Sequence, residues 1–391
     1  MVGPAEKSWR RSPTRRRAVQ ALAGFCAASP AAQLDPLRDH ARVKALAELE
    51  SSFDFEAVAH AKVPRAAFNY TAYGTESEFT LRRNREAFDW VKLVPDAIGG
   101  GEVRTSTELL GMSLAYPILI SPTAAQAALH PEGEAAMHQG ATAANTVMIV
   151  SNVSSFPISR IAAAAAGPLW FQLYPKREPE DNRAVLEEAQ AAGCKAIVVT
   201  VDQQAAYFER PLHDRHLGSG GPPRRSRGAP ANPYRVDESR MWYHWKLFDQ
   251  IRPYIKVPVV IKGILTAEDA RLAIEHGLDA VYVSNHGGRA LDYSPSTIEV
   301  LPEIADAVGG RAPVLFDSGI RRGSDILKAL ALGASAVCLG RVPRWGLAAY
   351  GSQGVQRVLE ILQAELAQSM ASTGRRSIGA ISRSLVTTDF P

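Results

Sequence analysis

The sequence predicts a parallel (β/α)8 TIM barrel preceded by a helical lead-in, and three observations carry that expectation. Eight short β-rich apolar runs follow one another at Pro117–Ser121, Val147–Val150, Leu169–Leu173, Ala196–Val201, Pro258–Lys262, Ala280–Ser284, Pro313–Asp317 and Ala336–Gly340. Runs of this length suit strands buried on both faces. Between most of them lie Ala-, Leu- and Glu-rich stretches with helical spacing, such as Arg183–Ala192, Ala267–His276 and Ser324–Leu332, followed by Gly193, Gly277 and Gly333 as C-terminal caps. No Gly-x-Gly-x-x-Gly opens a helix after an early strand, which weighs against a doubly wound sheet. Eight strand–helix repeats close into a barrel.

Composition narrows the function classes. The chain has 391 residues, 46% of them hydrophobic and 21% charged, which suits one large α/β domain. It has no run of about 18 apolar residues, so no membrane span is expected. Cys26, Cys194 and Cys338 are too few and too scattered for a disulfide framework or a zinc site. Residues 1–33 hold six Lys and Arg against one Glu, a net of +5, so the remainder carries 4 − 5 = −1. The body therefore offers no basic surface, and nucleic acid is not an expected partner.

The basic tail has its own pattern. Thr14-Arg15-Arg16-Arg17 precedes a weakly apolar stretch, Ala18 to Ala28, and then Ser29-Pro30-Ala31-Ala32. That order matches the three regions of an export signal, and the paired arginines resemble a twin-arginine leader. Residues 1–33 are read as a basic tail or such a signal, implying a periplasmic or secreted protein in the second case and a cytoplasmic one otherwise. Residues 34–391 are read as the barrel domain. The Gly-, Pro- and Arg-rich stretch at about 217–238 is read as a mobile loop.

In such a barrel, function gathers at the C-terminal strand ends. In order these ends present Ser121-Pro122-Thr123-Ala124, Ser151, Gln172 with Tyr174, Thr200 with Asp202, Lys262, Ser284 with His286 and Arg289, Asp317 with Gly319 and Arg321, and Gly340-Arg341. Placing Lys, His, Asp and Arg on one rim has no structural benefit, because like charges repel. The sixth strand runs into Ser284-Asn285-His286-Gly287-Gly288-Arg289-Ala290-Leu291-Asp292. It delivers a base beside a fixed cation, with two glycines expected to leave room for a flat ligand. An Arg holds a carboxylate by paired hydrogen bonds, and a His takes a proton near neutral pH. That combination suits oxidation of an alcohol that carries a carboxylate. Gly319, Arg321, Gly340 and Arg341, after strands seven and eight, suit a phosphate group. Lys262 at a buried strand end calls for an anion to face.

These motifs, in this order, resemble the FMN-dependent L-2-hydroxy-acid oxidase and dehydrogenase family. The resemblance covers about residues 50 to 390. It begins with Val63-Pro64, Phe68-Asn69-Tyr70, Gly74, Glu76, Glu78, Thr80-Leu81 and Asn84, and continues through His130-Pro131-Glu132-Gly133-Glu134 and Asp317-Ser318-Gly319-Ile320-Arg321-Arg322-Gly323. It implies FMN as cofactor, bound by Pro122, Thr123, Ala124, Ser151, Gln172, Thr200, Lys262, Ser284, Asp317, Gly319, Arg321, Gly340 and Arg341. It implies His286 as the base, Asp202 as its partner, and Tyr174 as a hydrogen bond to the reacting oxygen. Arg289 and Arg210, with Tyr70, would hold the carboxylate, and Lys262 would stabilise the reduced flavin.

The implied reaction takes an L-2-hydroxy acid to the 2-oxo acid. Ala124, where family dehydrogenases resemble one another in having Gly, points to O2 as acceptor with H2O2 as product; a quinone or cytochrome is the alternative. A flavin-dependent isomerase of the same barrel group is a further alternative. A small, lactate-like substrate is expected because the pocket shows no extra charge. The family resemblance also implies a homo-oligomer, often a tetramer. The chain departs from the family pattern at four places: the segment Tyr207–Arg215, which shifts Arg210 by one residue, and Tyr73, Val153 and Ser318.

Overall fold

Alternation along each strand decides this architecture: every second side chain turns into the barrel and the others turn out toward the helices. The computed structural model describes residues 43–96, 98–202 and 243–391. The basic tail, the Gly/Pro/Arg-rich loop and Arg210 lie outside the described residues. One compact unit spans Lys44–Pro391.

The lead-in is helical: α1 (Ser52–Lys62), α2 (Arg65–Ala72) and α3 (Phe79–Glu86) precede β1 (Val91–Leu93). A hairpin of β2 (Thr107–Leu109) and β3 (Met112–Leu114) follows. Strand–helix repeats then run as β4 (Ile118–Ile120), α4 (Gly133–Ala143), β5 (Val147–Ser151), α5 (Ile158–Ala162), β6 (Leu169–Leu173), α6 (Glu180–Ala191) and β7 (Ile197–Thr200). They continue through α7 (Lys246–Ile251), β8 (Val259–Ile264), α8 (Ala267–Glu275), β9 (Ala280–Val283), α9 (Thr297–Val308), β10 (Val314–Phe316), α10 (Gly323–Ala331) and β11 (Ala336–Leu339). Helix α11 (Arg341–Ser372), bent at Tyr350 and Gly351, and β12 (Val386–Thr388) complete the chain.

Strands β4 to β11 form one closed parallel barrel, with β11 against β4 and β10 against β9. The (β/α)8 expectation is met, with each strand within two residues of its predicted bounds at either end. Inward residues such as Leu119, Ile149, Trp170, Val198, Val260, Tyr282, Leu315 and Cys338 form the inner core, and the β2–β3 hairpin packs against it through Leu109 and Leu114. Outward residues such as Ile120, Val150, Phe171, Val199 and Phe316 join the helices in a second, larger core. Cys194 and Cys338 are buried free thiols. Among the described residues no helix is long and apolar enough to cross a membrane.

Candidate active site

Two residues beyond the inward core positions, each strand places one further residue on the same inward face. These are Ser121, Ser151, Gln172, Thr200, Lys262, Ser284, Asp317 and Gly340, one from each of β4 to β11 or the residue just after it. All seven that carry side chains are polar, and all are buried. The barrel is thus oily below and polar in its uppermost ring. A ring of buried polar groups costs free energy unless hydrogen bonds answer it. Some are answered within the protein: Ser151 donates to Gln172 Oε1 at 3.0 Å. Gln172 Nε2 and Thr200 Oγ1 are buried with no hydrogen-bond partner among the described residues.

The titratable centre stands on this ring. Lys262, only 3% exposed, donates to Asp202 Oδ2 at 3.1 Å. Asp202 Oδ1 lies 2.7 Å from His286 Nδ1. A carboxylate can only accept, so Nδ1 carries the proton and Nε2 holds the lone pair. Burial alone would raise the Asp202 pKa, but the neighbouring His286 and Lys262 charges and hydrogen bonds outweigh it and hold the group at about 2. His286 is pushed below the ordinary imidazole range, first by burial and also by Lys262, with Asp202 opposing. The imidazole is therefore neutral at pH 7 and able to act as a base. A bulge in β8 between Lys262 and Ile264 shapes this corner. Gly263 occupies it because an added Cβ would meet Asp202 Cβ at 2.5 Å.

His286 itself has a left-handed backbone, φ +58°, an uncommon state for a side-chain-bearing residue. Its N–H donates to Ser284 Oγ at 3.1 Å. The preceding Asn285 is locked to Asn84 of α3 by reciprocal amide bonds of 2.7 and 2.9 Å. Ser318 completes the support. Its hydroxyl lies 2.8 Å from Asp317 Oδ1 and 3.0 Å from Asn285 Oδ1, and it accepts the Gly287 N–H at 3.2 Å.

One expectation is corrected here. Gly287 and Gly288 do not clear space for a flat ligand. A Cβ on Gly287 would lie 2.7 Å from Arg341 Nη1, and one on Gly288 would lie 2.7 Å from the Leu81 backbone. The two glycines let the loop pack against α3 and Arg341.

The cations divide into distinct settings. Arg289 Nη1 donates to the Tyr70 and Tyr73 carbonyls, both at 2.8 Å, and its guanidinium lies 5.2 Å from the centre of the Tyr70 ring. Arg341 donates to the carbonyls of Thr71, Gly287 and Tyr73 at 2.9, 2.9 and 3.1 Å. Its three kinds of N–H thus meet protein carbonyls as well as lying at the expected phosphate end. Arg321 donates to the Ile320 carbonyl at 2.8 Å, and burial lowers its pKa. Gly319 serves packing, since a Cβ there would come within 1.9 Å of the Asn84 carbonyl oxygen. Gly340 faces open space, with Ser121 Cβ nearest at 4.0 Å.

Tyr282 was legible in sequence only as an apolar strand residue. Its hydroxyl lies inside the barrel, donating to Asp317 Oδ2 at 2.9 Å and meeting Ser121 Oγ at 2.8 Å. Burial, then the Asp317 charge, pushes its pKa well up, so it remains a neutral donor. The signal for Ser121 and Tyr282 was available in the alternation: both share the inward parity of the other ring residues.

Residues 59–388 match the family described as FMN-dependent dehydrogenase. The chain is 37% identical over 360 residues to glycolate oxidase 3 of Arabidopsis thaliana, covering 88% of this chain and 97% of that protein. It is 36% identical over 357 residues to glycolate oxidase of Spinacia oleracea, with the same coverage. Its fold matches the crystal structure of mandelate oxidase with (S)-2-phenylpropionate at a TM-score of 0.77 and 37% identity, covering 88% of this chain and 99% of that one. The chain belongs to the FMN-dependent dehydrogenase family and is an FMN-dependent oxidoreductase of the 2-hydroxy-acid oxidase type.

Proposed function

We propose that this enzyme oxidises a small, lactate-like L-2-hydroxy acid to its 2-oxo acid and delivers the two electrons to O2, giving H2O2. The observation that carries the chemistry is the Lys262–Asp202–His286 cluster, set on a buried polar ring; Arg289, three residues after His286, lies over the Tyr70 ring.

The ring fits FMN. Gln172 Nε2 and Thr200 Oγ1 need partners that the described residues do not supply, and a flavin's polar edge offers them. Gln172, Thr200, Lys262, Ser151 and Ser284 would hold that edge, with Pro122, Thr123 and Ala124 along the ring. Asp317 would meet the sugar chain, while Gly319, Arg321, Gly340 and Arg341 would hold the phosphate at the start of α11. When bound there, FMN supplies the two-electron acceptor that no side chain provides.

The remaining work belongs to the protein. Arg289 and Tyr70 hold the substrate carboxylate, with Arg210 as the second expected clamp. Tyr174 donates to the substrate oxygen. His286 Nε2 takes the proton as the substrate is oxidised, and ionised Asp202 stabilises the resulting imidazolium. Lys262 places a positive charge where negative charge collects on the cofactor's polar edge.

Size and acceptor are the finer parts of the proposal. Val153 is 52% exposed, and its carbonyl accepts the Ala125 N–H at 3.4 Å, beside Ala124. A side chain of this size leaves room beyond a two-carbon acid, and no added charge favours a diacid. Ala124 supports O2 as acceptor. The test is anaerobic bleaching of the flavin spectrum by glycolate, L-lactate and L-mandelate, followed by admission of air. Fastest bleaching by L-lactate, with stoichiometric H2O2 on reoxidation, supports the proposal. Preference for glycolate or mandelate overturns the substrate assignment. Slow reoxidation by air with rapid reoxidation by a quinone overturns the acceptor.

A further inference from the structure

Arg344 is a buried cation close to the substrate end of the site. It lies one turn after Arg341 on the same face of α11, amid buried Val342, Trp345 and Leu347, and is itself 3% exposed. Burying a guanidinium is costly unless specific groups answer it. Here Nη1 donates to the Ala124 carbonyl at 2.6 Å and Nε donates to Thr71 Oγ1 at 3.0 Å. The guanidinium lies 5.5 Å from the centre of the Tyr70 ring, a ring that Arg289 also approaches at 5.2 Å. Both distances fall within cation–π range.

We propose that Arg344 is a positioning residue for the substrate carboxylate, fixing the Tyr70 ring and the Ala124 carbonyl from behind the pocket wall. This rests on the hydroxy-acid reading above. Two of the groups it meets, Tyr70 and Ala124, are the residues expected to meet substrate and cofactor. A phenol already held in place loses less freedom when the ligand arrives, so more of its hydrogen bond appears as affinity. Only a planar fork can serve a carbonyl, a hydroxyl and a ring face at once; an ammonium group cannot.

A purely structural role in seating α2 is already filled by other groups. Arg341 holds the backbone carbonyls of Thr71 and Tyr73, and Trp345 stacks on Phe68 of α2 with centroids 4.7 Å apart. Arg344 is left to act on side chains and on the Ala124 peptide.

The test uses the FMN-loaded full-length enzyme and oxalate, a carboxylate probe read through its perturbation of the visible flavin spectrum. Arg344→Met and Arg344→Lys are each made alone and with Tyr70→Phe. Arg344→Met should weaken oxalate at least tenfold, with Arg344→Lys intermediate. With the Tyr70 hydroxyl removed, the same substitutions should weaken it less than threefold, because the group being aimed is gone. Oxalate affinity within twofold of the parent in both single variants overturns the proposal, as does an equal loss in the two backgrounds. If the Met variant does not fold, the Lys variant decides by the same criteria. A parent enzyme that binds no oxalate and is bleached by no hydroxy acid would remove the underlying reading, and this proposal with it. An intact parent with unaffected variants removes only the role of Arg344.

Discussion

Removing the charge of Lys262 should move the pH dependence of substrate oxidation toward alkali. Lys262 Nζ lies 3.5 Å from His286 Nδ1 and 3.1 Å from Asp202 Oδ2. At an effective dielectric of about 20, unit charges at the first separation repel by about 5 kcal/mol. Asp202, 2.7 Å from the same ring nitrogen, opposes this with an attraction of similar size. The protonated imidazole therefore feels a balance, tipped by burial toward the neutral form. Lys262→Met leaves the burial and deletes one side of the balance. The Asp202 charge then acts unopposed and the His286 pKa rises, by at least one unit, or about 1.4 kcal/mol.

Because the base must be neutral to accept a proton, activity rises with pH through the His286 pKa. In the native enzyme that limb should lie below the ordinary imidazole value of 6.5. In Lys262→Met it should lie at least one unit higher, so the variant loses proportionally more activity at pH 6 than at pH 8. The assay is anaerobic stopped-flow bleaching by the preferred hydroxy acid across pH 5 to 9, at saturating FMN so that weaker cofactor binding does not intrude. A limb that stays in place, or moves toward acid, would refute the assignment of His286 as the base in contact with Lys262.

Further consequences follow from the same geometry. His286→Gln should retain FMN and oxalate binding but lose about 10²–10⁴-fold in the rate of bleaching; near-native bleaching would exclude His286 as the base. Gly340→Val should yield a folded barrel, since space surrounds that position, but its FMN dissociation constant, measured by fluorescence titration of apoprotein, should rise at least tenfold. Ser318 has φ +85°, so Ser318→Gly relieves strain while losing the hydroxyl, whereas Ser318→Ala keeps the strain and loses the hydroxyl. Thermal unfolding should rank Ala below Gly by about 1 kcal/mol, and the reverse order would count against the strain account of Ser318. Gly319→Ala, with φ +81° and a Cβ forced to 1.9 Å from the Asn84 carbonyl, should cost about 3 kcal/mol or more, seen as a markedly lower unfolding midpoint of the holoenzyme.

What could be read from sequence, and what could not, follows the range of the forces involved. The barrel strands were legible because each is a short apolar run closed by its own turn residues, a local signal. The β1–β12 pair was not, because Val91 and Thr388 meet across almost the whole chain and neither three-residue strand carries a pattern. The β2–β3 hairpin was missed for a related reason: its two buried leucines acquire meaning only when the barrel's open lower end needs a cover. At the site, the strand ends announced themselves as polar residues where apolar ones were expected, and alternation extends that rule to Ser121. The glycines of the His286 loop misled because sequence records a missing side chain but not its neighbour, which proved to be Arg341 and Leu81. Arg344 was silent for the converse reason. An arginine in a helix reads as solvent-facing, and only the packing of α11 against α2 turns it inward. The residues proposed to do chemistry stand at strand ends set by a local repeat, which is why sequence could nominate them. The residues that hold them, Asn285, Ser318, Tyr282 and Arg344, act across elements distant in sequence, and three-dimensional contact is what gives them a role.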